Sequence, residues 1–288
     1  MKFSAQKIFN YIEKSIEADF ETCAVKVLDN AYISKFRSSS YSLFSVVEKG
    51  EVETDLILAD KQARIKRGET VACYIPRETL AKTCPVGNND VKILWSRINF
   101  NILGNLDLLS FFDIPFVLAP ETGKQIYSIN RQLIELEAKN IQTITSRKKI
   151  CFELLDLLVR TFPLKPGIIQ KMQAVEFFIP VIEYINKNYA DKIHNDDLSR
   201  IACISTSRFC HKFKETIGVA PQRFIQQLRF REICKLLAET NLSLNEISCK
   251  FSYKDQFQFS RAFKSSCGYS PSHYRKLLKK SQKAIFSS

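Results

Sequence analysis

The side chains best suited to chemistry lie in the last third of the chain, in two stretches centred on pairs of phenylalanines. Phe209 and Phe213 stand four positions apart, and so do Phe259 and Phe263. Because residues at i and i+4 share one face of a helix, each pair predicts a helix face directed into a core. Turning by about 100° per residue from that face identifies the outward side chains. They are Ser207, His211 and Lys214 in the first stretch, flanked by Arg208 and Cys210, and Phe257, Arg261 and Lys264 in the second, flanked by Ser260.

These outward side chains suit DNA, because a helix fits the major groove and its exposed residues contact the base edges. Arg261 could make a bidentate contact to guanine, worth about 1–3 kcal/mol of discrimination. Phe257 would suit a thymine methyl group or pack into the core, and Gln256 could pair with adenine or cap its helix. His211 could donate to a base or a phosphate, or lie solvated at the surface. Phosphate contacts position a protein without specifying a sequence, and those predicted are Ser205, Thr206, Arg208, Lys214 and Lys264.

The two stretches are copies of one unit, fifty residues apart. Beyond the phenylalanines, the matched pairs are Lys214 and Lys264, Gly218 and Gly268, Pro221 and Pro271, and Phe224 and Tyr274. We predict that each copy holds a helix that begins after an N-cap, Ser205 or Asp255, and ends at a left-handed glycine. A proline at the start of a helix then opens the next one. Two such units in a basic segment predict two helix-turn-helix motifs, at about 197–218 and 244–268.

The repeat resembles the DNA-binding domain of AraC/XylS-type transcription regulators. The first copy, LSRIACISTSRFCHKFKETIGVAPQRFI, resembles the first helix-turn-helix of that family. The second, LNEISCKFSYKDQFQFSRAFKSSCGYSPSHYR, is similar to the family's most diagnostic stretch, with its F-x-x-x-F-K, G, P and Y-R positions. The chain departs from the family at Cys203 and Ser252, where the two turns usually contain glycine. The resemblance implies base contacts from Ser207, Cys210 and His211 in the first motif and from Gln256, Phe257, Ser260 and Arg261 in the second.

Charge and cysteine content bound the class of protein. Of the formal net charge of +13, +10 lies in residues 171–288, which is typical of a polyanion binder. The nine cysteines include no C-x-x-C pair, which argues against a secreted disulfide framework and favours the cytoplasm. No apolar run approaches the ~20 residues that span a bilayer, and the first residues do not read as a signal peptide. We therefore expect a cytoplasmic protein with no membrane partner.

The sequence before the repeat predicts a separate, mainly β domain. Between residues 20 and 100, short β-type runs alternate with turn residues, and Glu48–Gly50 and Lys66–Glu69 predict hairpins. In this position the region resembles the cupin-like sensor domain of the same family. Helical periodicity precedes this region at 3–18 and follows it at 105–114, 123–140 and 146–162. Of the helices that follow, one either packs on the barrel or supplies a homodimer interface. The predicted fold class is α+β: a cupin-like β-barrel with flanking helices at 1–165, and an all-α double helix-turn-helix domain at 172–282.

Composition also limits what the β domain could bind. The three histidines, His194, His211 and His273, all lie outside it, so we expect no metal and no cofactor. A small molecule lodged in the barrel and a regulatory protein bound to it are both open as the controlling partner. The basic tail, with Arg275, Lys276, Lys279 and Lys280, either neutralises phosphates or is solvated.

The sequence therefore predicts a sequence-specific transcription regulator with double-stranded DNA as its partner. The family resemblance leans toward an activator that recruits RNA polymerase. The helix predicted at Pro221–Glu239 would be about 28 Å long, near the ~34 Å between successive major-groove faces, so one chain could contact two adjacent grooves. We expect no enzymatic activity. The alternative is a DNA-binding enzyme such as a repair alkyl transferase, using a cysteine among Cys23, Cys73 and Cys84 as nucleophile.

Overall fold

The protein consists of two compact units. The computed structural model describes residues 5–29, 32, 35–58, 62–136 and 140–276. The β unit comprises Glu17–Asn101 and Asp107–Pro166, and the helical unit comprises Met1–Ile16, Ile102–Leu106 and Gly167–Ser288. The domain limits predicted from sequence, 1–165 and 172–282, remain a prediction, and position 282 lies outside the described residues. Among the helices of the described ranges, none has both the length and the apolarity to cross a membrane.

Antiparallel strands form two sheets in the β unit. The strands are β1 (Glu17–Leu28), β2 (Leu43–Lys49), β3 (Glu51–Ile57), β4 (Gln62–Arg67), β5 (Ala72–Ile75), β6 (Leu80–Val86), β7 (Val91–Ile102) and β8 (Leu106–Asp107). One sheet has the order β1-β7-β2-β5 with β8 beside β7, and the other has the order β4-β3-β6. The predicted mixed fold with an N-terminal cupin-like β region is confirmed, but within the described residues the barrel is not closed.

Both predicted hairpins are wrong. Gly50, with φ +84°, does turn the chain between β2 and β3. However, β2 pairs with β5 and β7, whereas β3 pairs with β4 and β6. The segment Lys66–Glu69 likewise leads from β4 in one sheet to β5 in the other. Turn residues mark where a strand ends, but the partner of each strand depends on which apolar faces meet.

One strand, β6, was missed in the sequence. It contains Lys82 and Pro85, which weaken its β pattern. β6 lies at the edge of the three-stranded sheet, where a proline can face away from the ladder without losing a hydrogen bond. The sequence pattern also predicts a strand at 31–36, and half of this run (31, 33 and 34) lies outside the described residues.

The helices mostly follow the predicted periodicity. They are α1 (Ala5–Ser15), α2 (Pro120–Glu135), α3 (Ile141–Thr161), α4 (Ile168–Asn188), α5 (Asn195–Ile201), α6 (Thr206–Ile217), α7 (Pro221–Glu239), α8 (Leu244–Lys250) and α9 (Gln256–Cys267). α3 begins five residues before the predicted position, because Asn140 and Thr143 form a capping box at its start. The helix predicted at 105–114 is instead β8 followed by a short 3-10 helix, Leu108–Phe111.

Two apolar clusters fill the β unit around the facing sheets. The first cluster consists of Leu28, Val47, Val52, Val91 and Ile93. The second cluster consists of Leu56, Cys73 and Ile75, with partly buried neighbours that include Leu43 and Ile65. Burying these side chains supplies the main favourable free energy of folding for this unit.

Candidate DNA-binding surface

Two helix pairs of equal dimensions contain the predicted site. α5 and α8 each have seven residues, and α6 and α9 each have twelve. The connection between α8 and α9 is one residue longer than that between α5 and α6. Phe209 and Phe259 are therefore fifty positions apart, whereas Cys203 and Ser252 at corresponding places in the turns are forty-nine apart.

Both turns have the same backbone geometry, although neither contains glycine. Cys203 and Ser252 each have φ +54°. Their N–H groups donate to the backbone carbonyls of Arg200 and Cys249. The next N–H groups, of Ile204 and Tyr253, donate to the backbone carbonyls of Ser199 and Ser248. This pair of bonds is the Schellman arrangement that ends a helix with a left-handed residue. The glycine-type turn is thus kept at residues that carry a side chain.

Phenylalanine pairs anchor α6 and α9, as predicted. Phe209, Phe213 and Phe259 are fully buried, and Phe263 is nearly so. The rings of Phe213 and Phe224 lie 5.7 Å apart in an edge contact, and the matched rings of Phe263 and Tyr274 lie 5.4 Å apart in the same arrangement. Gly218 and Gly268 end the two helices with φ +92° and +81°. The repeat in sequence is therefore a repeat in packing.

With the aromatic face inward, the predicted contact residues lie on the outside. Exposed side chains are Ser205, Ser207, Arg208, His211, Lys214, Gln256, Phe257, Arg261 and Lys264, and half-buried ones are Thr206, Cys210 and Ser260. Phe257 is 78% exposed, which contradicts the alternative that it packs into the core. His211 Nδ1 lies 4.0 Å from Glu215 Oε2 at the same exposed surface.

Local hydrogen bonds decide one further alternative and describe the start of α6. Asp255 accepts the N–H of Gln258 at 2.6 Å and is the N-cap of α9. Because Asp255 supplies the cap, the alternative that Gln256 caps its helix is wrong. The Thr206 hydroxyl donates to Asp196 at 2.7 Å, and this bond fastens α6 to α5. Ser205 occupies the N-cap position of α6, but its side chain makes no capping hydrogen bond.

Two arginines brace the second motif from within, and their roles were not evident in the sequence. Arg229, on α7, donates to the carbonyl of Phe251, and its guanidinium lies 5.3 Å from the ring centre of Tyr253. Arg275 donates to the carbonyl of Leu242 at 2.6 Å, so this half-buried side chain is held by the fold and the alternative of a freely solvated Arg275 is wrong. Lys276 is exposed, while Lys279 and Lys280 lie outside the described residues. The sequence indicated the role of Arg229 only through its position among the apolar residues of α7.

Two of the predicted alternative nucleophiles, Cys23 and Cys73, lie in environments that disfavour the thiolate. Burial raises the pKa of the Cys23 thiol to about 11, and Arg147 offsets this effect only in part. Burial also raises the pKa of Cys73. A reactive cysteine needs the opposite shift, because the thiolate is the nucleophile. Over the described ranges, no group of three His, Cys, Asp or Glu side chains could hold a metal ion.

Comparison with known proteins identifies the repeated unit. A helix-turn-helix domain family model matches residues 198–277, which begin within α5 and include all of α6, α8 and α9. Residues 198–277 form an AraC-type helix-turn-helix domain. The matched range includes the duplicated Schellman turns, the buried phenylalanine pairs and the outward faces of α6 and α9.

The curated relatives that match part of the chain include sugar-operon regulators. The raffinose operon transcriptional regulatory protein RafR of Pediococcus pentosaceus is 32% identical over 127 residues, covering 44% of this chain and 46% of RafR. The lactose operon transcription activator of Staphylococcus xylosus is 26% identical over 199 residues, covering 66% of this chain and 69% of that protein. The chain spans about half the length of most of the curated relatives it matches.

A solved structure shares the fold over most of the chain. ToxT from Vibrio cholerae superposes with a TM-score of 0.53 at 11% identity, covering 91% of this chain and 98% of ToxT. At this identity the likeness establishes the fold alone. With 91% of the chain covered, the match spans most of both units.

Proposed function

We propose that this protein is a sequence-specific transcription regulator that contacts two adjacent major grooves through α6 and α9. The observation that carries the proposal is the pair of matched helices, each anchored by buried phenylalanines and each exposing polar and basic side chains. α7, which connects the two motifs, has nineteen residues and is therefore about 28 Å long. That length is near the ~34 Å repeat of the groove along one side of the duplex. The preferred DNA site is then asymmetric.

The exposed residues divide into two roles by their chemistry. Base contacts come from Ser207, Cys210 and His211 on α6 and from Gln256, Phe257, Ser260 and Arg261 on α9. Arg261 has the geometry for guanine, and the exposed Phe257 ring suits a thymine methyl group. Phosphate contacts come from Ser205, Thr206, Arg208, Lys214 and Lys264. Because the Thr206 hydroxyl is held by Asp196, Thr206 approaches phosphate through its backbone N–H at the start of α6.

The direction and control of regulation are argued from the relatives. The lactose operon protein is named as a transcription activator, and we propose activation, with RNA polymerase as partner, for this chain also. ToxT has been solved with an unsaturated fatty acid and with a naphthalenyl butenoic acid. By analogy, the β unit is the regulatory part of the chain and responds to a small molecule or to a regulatory protein. The protein acts as a non-enzymatic regulator in the cytoplasm, as a monomer or a homodimer.

The test is binding of the purified chain to the DNA upstream of its own gene, against shuffled DNA, over a series of salt concentrations. Log affinity should fall with log salt by about 0.9 per neutralised phosphate. Lys264→Ala should weaken binding to all DNA and flatten the slope by about one, whereas Arg261→Ala should lose discrimination worth about 1–3 kcal/mol. Arg200→Ala is the matched control, because Arg200 is an exposed arginine of α5 that pairs with Asp197 and lies outside the predicted contact faces.

Selection from random DNA completes the test. Enrichment of one asymmetric site by the wild type, and its loss in Arg261→Ala, is the expected result. If random DNA yields no enriched site, and Arg261→Ala and Arg200→Ala bind DNA with equal affinity and discrimination, the proposed base contacts from α9 are wrong.

A further inference from the structure

An arginine that forms no ion pair with any described carboxylate lies between the two sheets of the β unit. Arg67, the last residue of β4, is only 2% exposed. Its Nη1 donates to Ser45 Oγ at 3.0 Å, and its Nη2 approaches Thr54 Oγ1 at 3.4 Å. Ser45 belongs to the five-stranded sheet and Thr54 to the three-stranded sheet, so the guanidinium lies between them. Its buried Nε–H has no hydrogen-bond partner.

The carboxylates of the neighbouring strands pair elsewhere. Asp55 binds Arg64 at 2.6 Å, and Glu51 binds Lys66 at 2.8 Å, both on the outward face of the sheet. Throughout the described residues, no carboxylate forms an ion pair with Arg67. Arginine stays protonated in proteins, and a buried charge without an opposite charge is strongly unfavourable. Neutral hydroxyl groups satisfy part of the hydrogen bonding but leave the charge uncompensated.

The surroundings of Arg67 combine polar and apolar groups. Thr54 shares a hydrogen bond of 3.0 Å with Thr83, which extends the hydroxyl groups next to the guanidinium. Ser45 pairs in register with Cys73 on β5 and with Trp95 on β7. Directly paired residues of antiparallel strands place their side chains on the same face, so Trp95 lies on the side of the sheet from which Ser45 contacts Arg67.

Apolar side chains continue from this polar group on the same inner face. Leu56, two residues from Thr54 along β3, is 1% exposed and belongs to the second cluster with Cys73 and Ile75. A ligand held at Arg67 would thus meet hydroxyl groups at its charged end and hydrocarbon beside it. Arginine presents a planar fork of donors that matches a carboxylate better than it matches a single-atom anion.

We propose that the β unit binds a small organic acid between its sheets, with the carboxylate on Arg67 and the apolar body against the second cluster. The Nε–H and a terminal N–H of Arg67 would donate to the two carboxylate oxygens, and Ser45 and Thr54 would add hydroxyl contacts. This inference rests on the proposed function only in treating the β unit as the regulatory part of the chain.

The experiment uses the full chain and measures its melting temperature and the emission of Trp95, the single tryptophan. The probes are sodium hexanoate and sodium 3-phenylpropionate, compared at equal ionic strength with hexan-1-ol, 3-phenylpropan-1-ol, sodium phosphate and sodium chloride. The carboxylates should raise the melting temperature and change the Trp95 emission, and the alcohols and inorganic salts should not.

Variants then locate the response. Arg67→Met keeps the length of the side chain and removes its charge, and should weaken carboxylate binding at least about tenfold. Arg64→Met is the matched control, because Arg64 lies on the same strand with its side chain 66% exposed, and should bind as the wild type does. Arg67→Lys keeps the charge without the fork, and should retain weakened binding even if Arg67→Met does not fold.

An equal response to the alcohols or the inorganic salts would overturn the inference, and so would loss of the response in Arg64→Met. Carboxylate binding of wild-type strength by Arg67→Met or by Arg67→Lys would overturn it as well. DNA binding is measured on the same samples. A chain that responds to carboxylates but does not discriminate between DNA sequences refutes the proposed function alone. A chain that discriminates but ignores carboxylates refutes this inference alone.

Discussion

Replacing the left-handed turn residues by glycine should stabilise the AraC-type domain. Cys203 and Ser252 both have φ +54°, a conformation in which the β-carbon of an L-residue crowds the following carbonyl oxygen. Both side chains are exposed, so little packing is lost when they are removed. The backbone hydrogen bonds of the two Schellman turns involve no side chain and would persist.

The magnitude follows from two opposing terms. A left-handed non-glycine residue costs about 1–2 kcal/mol, and glycine relieves this cost. Glycine also loses more backbone freedom on folding, which costs about 0.5–1 kcal/mol. The net gain should therefore lie within about 0–1.5 kcal/mol at each turn, with a midpoint of about 0.75 kcal/mol. Since the turns lie in different motifs, the two gains should be close to additive.

The assay is urea denaturation of Cys203→Gly, Ser252→Gly and the double variant, followed by circular dichroism. Ser252→Ala tests the loss of the hydroxyl group alone and should give no gain. Cys249→Gly is the matched control, because Cys249 is also exposed but lies in α8, where replacing cysteine by glycine should cost about 0.3 kcal/mol of helix propensity. If Ser252→Gly destabilises the protein as much as Cys249→Gly does, the assignment of strain to the turn is wrong.

Two further predictions concern thiols and a helix cap. The exposed thiols of Cys203 and Cys249 should react rapidly with Ellman's reagent near neutral pH. The thiols expected to react only in denaturant are the buried Cys73, Cys151 and Cys234, and Cys23, whose pKa is raised to about 11. Rapid modification of Cys23 in the native protein, mapped by mass spectrometry, would contradict this order of reactivity. Ser243→Ala should destabilise the protein by about 1 kcal/mol, because Ser243 and Glu246 form the capping box of α8 with bonds of 3.1 and 2.7 Å. Since hydrogen bonding from Ser243 lowers the pKa of Glu246, the stability that this carboxylate adds is present above its ordinary pKa and is lost as the pH falls through the lowered one. Denaturation curves for wild type and Glu246→Gln over the acidic range should therefore converge at low pH, and a constant difference would refute the assignment.

The sequence predicted the helical unit closely because its signals are local. Pro221 and Glu239 bound α7 as expected, since a proline fixes the first turn of a helix. Gly218 and Gly268 end α6 and α9 in the left-handed conformation for the same kind of reason. The inward direction of the phenylalanine pairs needed only the helical period. Each of these features depends on residues within about one or two helical turns.

The fold of the β unit was harder to predict from the sequence, because its features depend on residues that are distant along the chain. The pattern of apolar runs located most strands, but it could not show that β2 pairs with β7 instead of β3, since pairing is set by residues some fifty positions apart. Pro85 weakened the β pattern of β6, and only the sheet order shows that β6 is an edge strand.

The sequence by itself determined that two helix-turn-helix units, with outward polar faces and a concentrated positive charge, lie in the last third of the chain. Only the tertiary structure decided that Phe257 is exposed, that Arg275 is held by a backbone carbonyl, and that Trp95 and Ser45 share a face of the sheet. It alone placed Arg67 between two sheets, where no described carboxylate pairs with it. The physical reason is that helix period, caps and turns act between near neighbours, whereas burial and the pairing of charges depend on which distant segments pack together.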